Sequence, residues 1–406
     1  MYIVGLWILS ISVSCIATVW DNRYIPLIEY PFITVPGRFS EAAIDAFFAT
    51  GHRAFGSGDT ELNIPELHGL YDQSQVQQAL VSIGKPYRMD PITTLSSVKW
   101  KMQGKIQAQG LTFFYRQHLF THYNNHCEVG FDFPFMHVNS RIHFVLNGSS
   151  FPESTKTFLQ QALLLMDQDL GLVSDNAREI GIGDIDGYVR FNKTWDFILK
   201  FRRIDVAARA GILFPTGKKA NINKPASIPF GGNGHWGIYA GVDAELEVRE
   251  DWKAGIMIRL IDRIAKKQCL RLASVNEPDI YGVIVGTFHN SPGVTGVVSP
   301  YVSMENLRDG FGARAQFSFI MHQEDYISGP CGTLPTVPVN IEAYERHSKW
   351  TSEYVTLTGF YDFGKLEVDR TYKPIVRFSW DIPVSVFSGH HVSKTNLLSL
   401  GIEYNF

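Results

Sequence analysis

The sequence predicts an all-β fold, a transmembrane antiparallel up-and-down β-barrel. Three observations predict it. Apolar and polar residues alternate with a period of two in many segments, and these segments have about the 9–11 residues that a tilted membrane strand needs. The connections between them also alternate between short and long. The segments add up to about twelve strands, with ten and fourteen as alternatives, and one or two short helices in loops or as a plug.

The alternation is clearest in residues 203–214 and 239–249, where aliphatic residues at every second position oppose charged or small ones. Such a pattern is typical of a strand with lipid on one side and water on the other, whereas a helix does not produce five successive alternations. Similar segments are 98–108, 184–191, 253–260, 313–319 and 376–385, and weaker ones are 39–48, 128–136, 294–303 and 353–363.

The connections predict which end of the barrel faces which side. The short ones are 192–196, 250–252, 303–309 and 364–371, and the long polar ones are 148–178, 215–234, 265–293 and 322–350. Membrane barrels have short periplasmic turns and longer external loops. If the chain starts in the periplasm, every short turn lies there, and every long connection except the 110–125 region lies outside. Residues 155–170 and 69–83 are predicted to be helices that cap the barrel, with a helix folded into the lumen as the alternative.

The N-terminal residues are typical of an export signal. The first twenty residues are almost wholly apolar, and Cys15-Ile16-Ala17 predicts cleavage after Ala17. Because no Lys or Arg precedes the apolar core, an uncleaved anchor is the alternative. We therefore expect a signal peptide at 1–17, an N-terminal periplasmic segment at 18–37 and the barrel at 38–406.

The C-terminal residues carry a resemblance to a known family. Ser399, Gly401, Tyr404 and Phe406 match the polar, glycine, aromatic and terminal Phe positions of the C-terminal assembly signal of bacterial outer-membrane barrels. The chain thus resembles that superfamily, with no particular porin or transporter family identified. The resemblance implies the outer membrane of a Gram-negative-type envelope, contact with its lipid, and recognition by the barrel-assembly machinery.

Composition and motifs exclude several functions. With 37 basic and 40 acidic residues, the chain has no basic excess for a nucleic acid. Cys127, Cys269 and Cys331 have no zinc or disulfide-framework spacing, and whether any of them form a disulfide stays open. His390 and His391 lack a third metal ligand, and His118, His122 and His126 lie in a predicted strand and turn. We therefore expect no metal, no cofactor and no catalytic site.

The predicted lumen face carries charges of both signs: Lys99, Lys101, Lys105, Asp184, Asp186, Arg190, Arg203, Asp205, Arg209, Asp243, Glu245, Glu247, Arg259, Arg314, Arg377 and Asp381. Opposing rows of acid and base shape the field of a porin constriction. Alternatively, these charges pair across strands and fill a narrow barrel. The pattern favours an outer-membrane channel or transporter for passive passage of small solutes. The alternatives are a structural or adhesion barrel acting through its outer loops, and a lipid-modifying enzyme. The oligomeric state stays open.

Overall fold

The computed structural model describes residues 40–406 except for 57–59, 89–96, 148–150, 174, 198–200, 331–336, 366–372 and 388. The predicted signal peptide and the segment 18–37 lie outside the described residues. The strands are β1 (Glu41–Gly51), β2 (Arg53–Phe55), β3 (Glu61–Asn63), β4 (Tyr71–Asp72), β5 (Lys99–His122), β6 (Asn125–Leu146), β7 (Asn176–Ile182), β8 (Ile185–Asp196), β9 (Arg203–Phe214), β10 (Gly237–Arg249), β11 (Trp252–Arg263), β12 (Lys266–Leu272), β13 (Ile284–Ser291), β14 (Thr295–Arg308), β15 (Phe311–His322), β16 (Tyr326–Pro330), β17 (Trp350–Asp362), β18 (Ile375–Val384), β19 (Val392–Ser393) and β20 (Asn396–Asn405). The helices are α1 (Gln73–Ser82), α2 (Glu153–Asp169) and α3 (Ile341–Arg346), with 3₁₀ turns at Ile64–His68 and Phe363–Lys365.

Twelve strands close into one antiparallel barrel, which confirms the predicted fold class and strand number. Each barrel strand pairs with the next one along the chain, in the order β1, β5, β6, β8, β9, β10, β11, β14, β15, β17, β18 and β20. Closure comes from β20, whose Glu403 lies opposite Ala43 of β1. The short strand β7 continues the line of β8 along β6 after a break at residues 183–184.

The outer surface of the barrel is an apolar belt. In β20, Leu398, Leu400 and Ile402 are 41–58 % exposed, while Leu397 and Glu403, at alternate positions of the same strand, are buried. Exposed aromatic side chains lie toward both ends of the barrel: Phe197, Trp252, Phe311 and Phe406 at the end with the termini, and Trp236 and Phe387 at the other. An apolar band bounded by aromatic residues is the lipid-facing surface of a membrane barrel.

The short turns and the chain termini share one end of the barrel, which is the periplasmic end in barrels of this kind. Asp309 and Gly310 form one such turn with positive φ at both residues (47° and 92°), the backbone that matches the twist of paired strands. The prediction of a long connection at 110–125 is wrong. Because β5 and β6 continue past β1 as a long hairpin, their turn is only residues 123–124.

A cap built from the long connections covers the other end. It contains both predicted helices, now α1 and α2, which confirms them as elements of external loops. It also contains two small sheets, β12-β13-β16 and β19-β2-β3. The first of them lies in the segments 265–293 and 322–350, which were predicted to be long polar connections. Among the described residues, none of the helices is long and apolar enough to cross a bilayer.

The largest apolar core lies under this cap, inside the outer half of the barrel. Trp100, Ile106 and Met136 point inward from β5 and β6 and pack with Leu159 and Met166 of α2. The fully buried Gln73 joins the pieces. Its amide oxygen accepts from Trp100 Nε1 at 2.9 Å, and its nitrogen donates to the Leu159 carbonyl at 3.0 Å. The cap is therefore packed onto the barrel as one body.

Candidate functional site: the barrel lumen

The periplasmic half of the lumen is filled by ion pairs, which we call the lumen network. One chain of pairs runs across five strands. Arg116 binds Glu41 at 2.7 Å and lies 3.6 Å from Glu128, and Arg190 then binds Glu128 at 3.1 Å and Asp243 at 2.9 Å. Arg116, Glu41 and Glu128 are each only 1 % exposed. Because the partners come from β1, β5, β6, β8 and β10, the chain crosses the interior rather than following one strand.

A second part of the network combines ion pairs with aromatic rings. Asp186 accepts from Arg259 at 2.8 Å and from Arg209 at 3.3 Å, although β8 and β11 are three strands apart. The two guanidinium groups also lie over tyrosine rings, Arg209 at 3.7 Å from the Tyr188 centroid and Arg259 at 3.5 Å from Tyr239. Stacking on a ring is favourable for the planar, weakly hydrated guanidinium group.

Glycines on the neighbouring strands make room for these rings. A Cβ added at Gly211 would lie 2.5 Å from the Tyr239 ring, and one at Gly130 would lie 2.4 Å from the Tyr188 ring. Gly255 stands in the same relation to Tyr301, whose hydroxyl donates to Glu245 at 2.6 Å. Each ring thus lies flat across the adjacent strand and occupies lumen that would otherwise hold water.

A third part of the network lies where the barrel closes. Arg377 of β18 binds Asp45 of β1 at 2.8 Å and Glu403 of β20 at 2.7 Å, so one guanidinium group joins three strands at the closure. Gly401 gives the space for this pair, since a Cβ there would lie 1.6 Å from Asp45 Oδ1.

The remaining predicted lumen charges also lie on the inward face, toward the two ends. Near the periplasmic turns, Arg203 pairs with Asp205, Glu247 with Arg202, and Glu245 with Lys253. Arg314 stacks on Tyr301 at 4.8 Å, and the buried Asp381 accepts from Thr356. At the outer mouth Asp184 accepts from Arg263 at 3.1 Å and from two backbone amides, those of Gly217 and Gly232.

Three predicted lumen residues lie on the opposite face. Lys99, Lys101 and Lys105 are exposed on the outside of β5, whereas Trp100, Met102 and Ile106 point inward. The prediction is wrong because alternation shows that the two faces of a strand differ in polarity but does not show which face lines the barrel interior. In the outer half of β5 the interior is the apolar core beneath the cap, so polarity is inverted relative to the periplasmic half, where Arg116 points inward.

Further charged and aromatic members of the network were not predicted from the sequence. Missed residues are Glu41, Asp45, Arg116, Glu128, Asp132, Tyr188, Tyr239, Lys253, Tyr301, Glu305 and Glu403. For Glu41, Asp45, Glu128, Asp132 and Glu403 the available signal was parity, because the alternation of β1, β6 and β20, extended to their periplasmic ends, places them on the inward face.

Together, these contacts neutralise the inward charges and bury many of them. Asp186 is 2 % exposed and Glu403 0 %, so both side chains are shielded from water. Buried ion pairs are not an efficient source of stability, because the desolvation of both ions offsets much of their attraction. The same groups become strongly hydrated when the pairs separate. The inward charges can therefore exist either as buried ion pairs or, when the pairs separate, as hydrated charges that line the barrel interior.

A hydrogen-bonded Thr–His–Asp set lies at the outer rim. Thr295 Oγ1 is 2.8 Å from His322 Nδ1, and His322 Nε2 is 3.2 Å from Asp325 Oδ1. His322 also stacks on Trp350, and Asp325 accepts from the backbone amide of Gly293. These contacts fasten the 323–325 loop to the rim, and the order hydroxyl, imidazole, carboxylate is also that of a hydrolytic triad.

The histidine and cysteine residues that the sequence offered for metal binding or disulfides lie apart from the lumen network. His390 and His391 join a stack with His347 and His68 in the cap, with centroid distances of 4.3–5.4 Å between successive rings. Among the described residues, no group of three or more potential ligands has the geometry to hold a metal ion. Cys127 and Cys269 are both free, one buried near the periplasmic turn and the other exposed in the cap; Cys331 lies outside the described residues.

No protein-family model and no curated protein matches the chain. Its structure is similar to an outer membrane channel from Pseudomonas putida F1, with 10 % identity, 92 % of this chain and 100 % of that chain covered, and a TM-score of 0.49. It is also similar to a Pseudomonas aeruginosa FadL homologue (10 % identity, 91 % of each chain, TM-score 0.38) and to the β domain of the Bordetella autotransporter BrkA (9 %, 90 % and 99 %, TM-score 0.37).

These distant likenesses carry no substrate or activity over to this chain, and the fold rests on its own strand pairing. That pairing gives a closed barrel of twelve strands with an apolar belt, and closure is what allows strands to cross a bilayer. The resemblance seen in the C-terminal residues is thereby confirmed at the level of fold: the chain is a β-barrel of the bacterial outer-membrane type.

Proposed function

We propose that the protein is an outer-membrane transporter for small solutes whose lumen is closed in this conformation and opens when the lumen network separates. The observation that carries the proposal is the buried network itself, with Asp186 binding both Arg209 and Arg259 across the interior. The proposal refines the expectation of passive passage, because the inward charges form buried ion pairs rather than opposing hydrated rows of acid and base.

The energetics of the network support a lumen that opens. A barrel that only anchors outer loops would be as well filled by apolar side chains, since replacing buried ion pairs by packed apolar groups is often neutral or stabilising. Here the periplasmic half of the lumen instead holds several arginine–carboxylate pairs, which gain hydration on separation. Paired charges are therefore a reversible closure.

Single-channel recording in planar bilayers tests the proposal with matched variants. R209A/R259A removes two inward arginines, and K101A/K105A removes the same charge from the outer face. We expect the wild type to open rarely, R209A/R259A to conduct at least severalfold more with cation selectivity because Asp186 loses its partners, and K101A/K105A to behave as the wild type.

Heat-modifiable migration on gels provides the folding control for both variants. If R209A/R259A folds and stays as silent as the wild type, the lumen does not conduct, and the structural or adhesion alternative, with function in the ordered cap, replaces the transporter.

The enzyme alternative is the second candidate, and the Thr295–His322–Asp325 set is the observation that favours it. The same preparations can be assayed for fatty acid released from phospholipid micelles. Release by the wild type that is lost in Thr295→Val would identify a hydrolase; without release, the set serves only to fasten the rim.

A further inference from the structure

A basic cleft lies in the cap, away from the lumen network. It has a volume of about 570 Å³ and lies between the 219–227 segment, strand β12 and residues 279–282. A cavity of this size suits a small organic molecule. Since β9–β10 and β11–β14 are connected at the outer end of the barrel, the cleft lies on the side opposite the chain termini.

The charges that line the cleft are unbalanced. Lys219, Lys224, Lys266 and Lys267 line it, and in the part of the chain that the structure describes none of the four forms an ion pair with a carboxylate. Asp279 is the acidic residue in the lining, and it already binds Arg346 at 3.1 Å and His347 at 3.0 Å. The cleft therefore carries an uncompensated positive charge.

Two of the lysines converge on one point. A Cβ added at Gly234 would lie 2.5 Å from Lys219 Cε and 2.6 Å from Lys266 Nζ, so the two side chains are close neighbours. Burial and the nearby Lys219 lower the pKa of Lys266, and Asp184, itself bound to Arg263, opposes them. Two like charges held together at a partly desolvated site repel each other, and a bound anion relieves the repulsion.

The floor of the cleft is rigid and also cationic. Arg271 donates to the carbonyls of Leu170, Ile222 and Gly282, at 2.9–3.0 Å, and thereby joins three segments of the cap. Its hydrogen-bond partners are neutral oxygens, and Glu277, the acid that acts on it, is mainly protonated at neutral pH because burial raises its pKa to about 8. The site is preformed, which lowers the ordering cost of binding.

The rest of the lining is apolar or aromatic. Its apolar members are Leu270, Leu272, Ile280, Tyr281 and Tyr344, of which Ile280 and Tyr344 are only partly buried and so offer surface to a ligand. A ligand that fits both parts has one anionic group and a small apolar body.

We propose that this cleft binds a small organic anion, with its carboxylate or phosphate between Lys219 and Lys266 and its apolar part against Ile280 and Tyr344. The ligand is either a free solute or the headgroup of an anionic lipid at the outer surface. The site is separate from the lumen network and does not depend on conduction.

Calorimetric titration of the whole folded protein in nonionic micelles, with phenyl phosphate as the probe, tests the proposal. We expect saturable binding that weakens as salt rises, because the attraction is electrostatic. K219Q/K266Q should lower the affinity at least tenfold. The matched control Lys85→Gln, an exposed lysine of the cap outside the cleft, should not change it.

Further titrations distinguish the two sources of the anion. Dihexanoyl phosphatidate binding at least tenfold more tightly than phenyl phosphate supports a lipid headgroup, and equal or weaker binding supports a free solute. No saturable binding, equal affinity in K219Q/K266Q, or equal binding of neutral benzyl alcohol would overturn the site. Since the readout is binding, such failure leaves the conductance result of the lumen variants unaffected.

Discussion

Gly401 shows why a single small residue is needed in the last strand. Its position lies opposite Asp45 of β1 and Arg377 of β18, and the three residues occupy adjacent strands at the barrel closure. Any side chain at 401 would occupy the space of the Asp45 carboxylate. The glycine of the C-terminal motif is therefore explained by lumen packing, while its recognition by the barrel-assembly machinery stays a prediction.

We predict that Gly401→Ala destabilises the folded barrel by about 1–3 kcal/mol, the usual cost of overpacking a tight interior. The added methyl group displaces Asp45 and weakens its pair with Arg377. Urea unfolding in micelles, followed by tryptophan fluorescence, measures the change. Gly359→Ala on the outer face, where a Cβ meets only Phe311 at 3.9 Å, is the control. Equal midpoints for the two variants would contradict the explanation.

At the scale of the element, helix α2 places an acid in an apolar setting. Asp167 lies on the buried face of α2 beside Leu163 and Met166, and its Oδ1 has no hydrogen-bond partner among the described residues. Burial, and then the charge of Asp175, raise the pKa of Asp167 to about 8. Glu277, also in the cap, is buried and has its pKa raised to about 8.

We predict that the cap is more stable at pH 5.5 than at pH 8.5. The folded Asp167 keeps its proton up to about pH 8, whereas the unfolded chain releases it near pH 4, so stability falls as pH rises between these values. Near-ultraviolet circular dichroism of thermal unfolding measures the effect, on the order of a few kcal/mol. Asp167→Asn should reduce the pH dependence and leave the part due to Glu277.

Asp169→Asn is the matched control for this prediction. Asp169 lies on the same helix and binds Arg88, which lowers its pKa, so its removal should leave the fall in stability from pH 5.5 to 8.5 in place. If Asp167→Asn melts with the same pH dependence as the wild type, Asp167 is not the responsible group.

At the scale of the molecule, the two halves of the barrel interior have opposite character. The periplasmic half is filled by ion pairs such as Arg190 with Glu128, and the outer half by the apolar core beneath the cap. All six long connections emerge at the cap end. From this arrangement we predict a cap on the cell surface, with the ion-paired half of the barrel toward the periplasm.

Cysteine labelling tests that orientation. In a variant with Cys331 replaced by Ser, we predict that a membrane-impermeant maleimide labels Cys269 on intact cells, because Cys269 is exposed in the cap. Cys127, buried near the periplasmic turn, should react only after denaturation. Cys269→Ser is the control and should abolish surface labelling. Labelling of Cys269 only after the outer membrane is permeabilised would place the cap in the periplasm.

How far the sequence predicts this protein differs between the fold and the site. The twelve strands follow from alternation, because lipid outside and a polar interior impose a period of two on every membrane strand. Helix α2 follows from its helical apolar spacing. The direction in which Lys101 points from β5 could not be predicted, because the alternation has the same period whether the apolar face lines the barrel interior or its outside.

The sequence by itself therefore determined the class of fold, a number of strands of about twelve, the cap helices α1 and α2, and the motif that ends the chain. Only the tertiary structure decided which charges form pairs, such as Arg259 with Asp186, which are 73 residues apart in the sequence. The tertiary structure likewise decided that these pairs are buried from water. It also decided that Lys219 and Lys266 converge in one cleft. The physical reason is that alternation is a local response to the medium on each side of a strand, whereas pairing depends on the closure and register of the whole barrel.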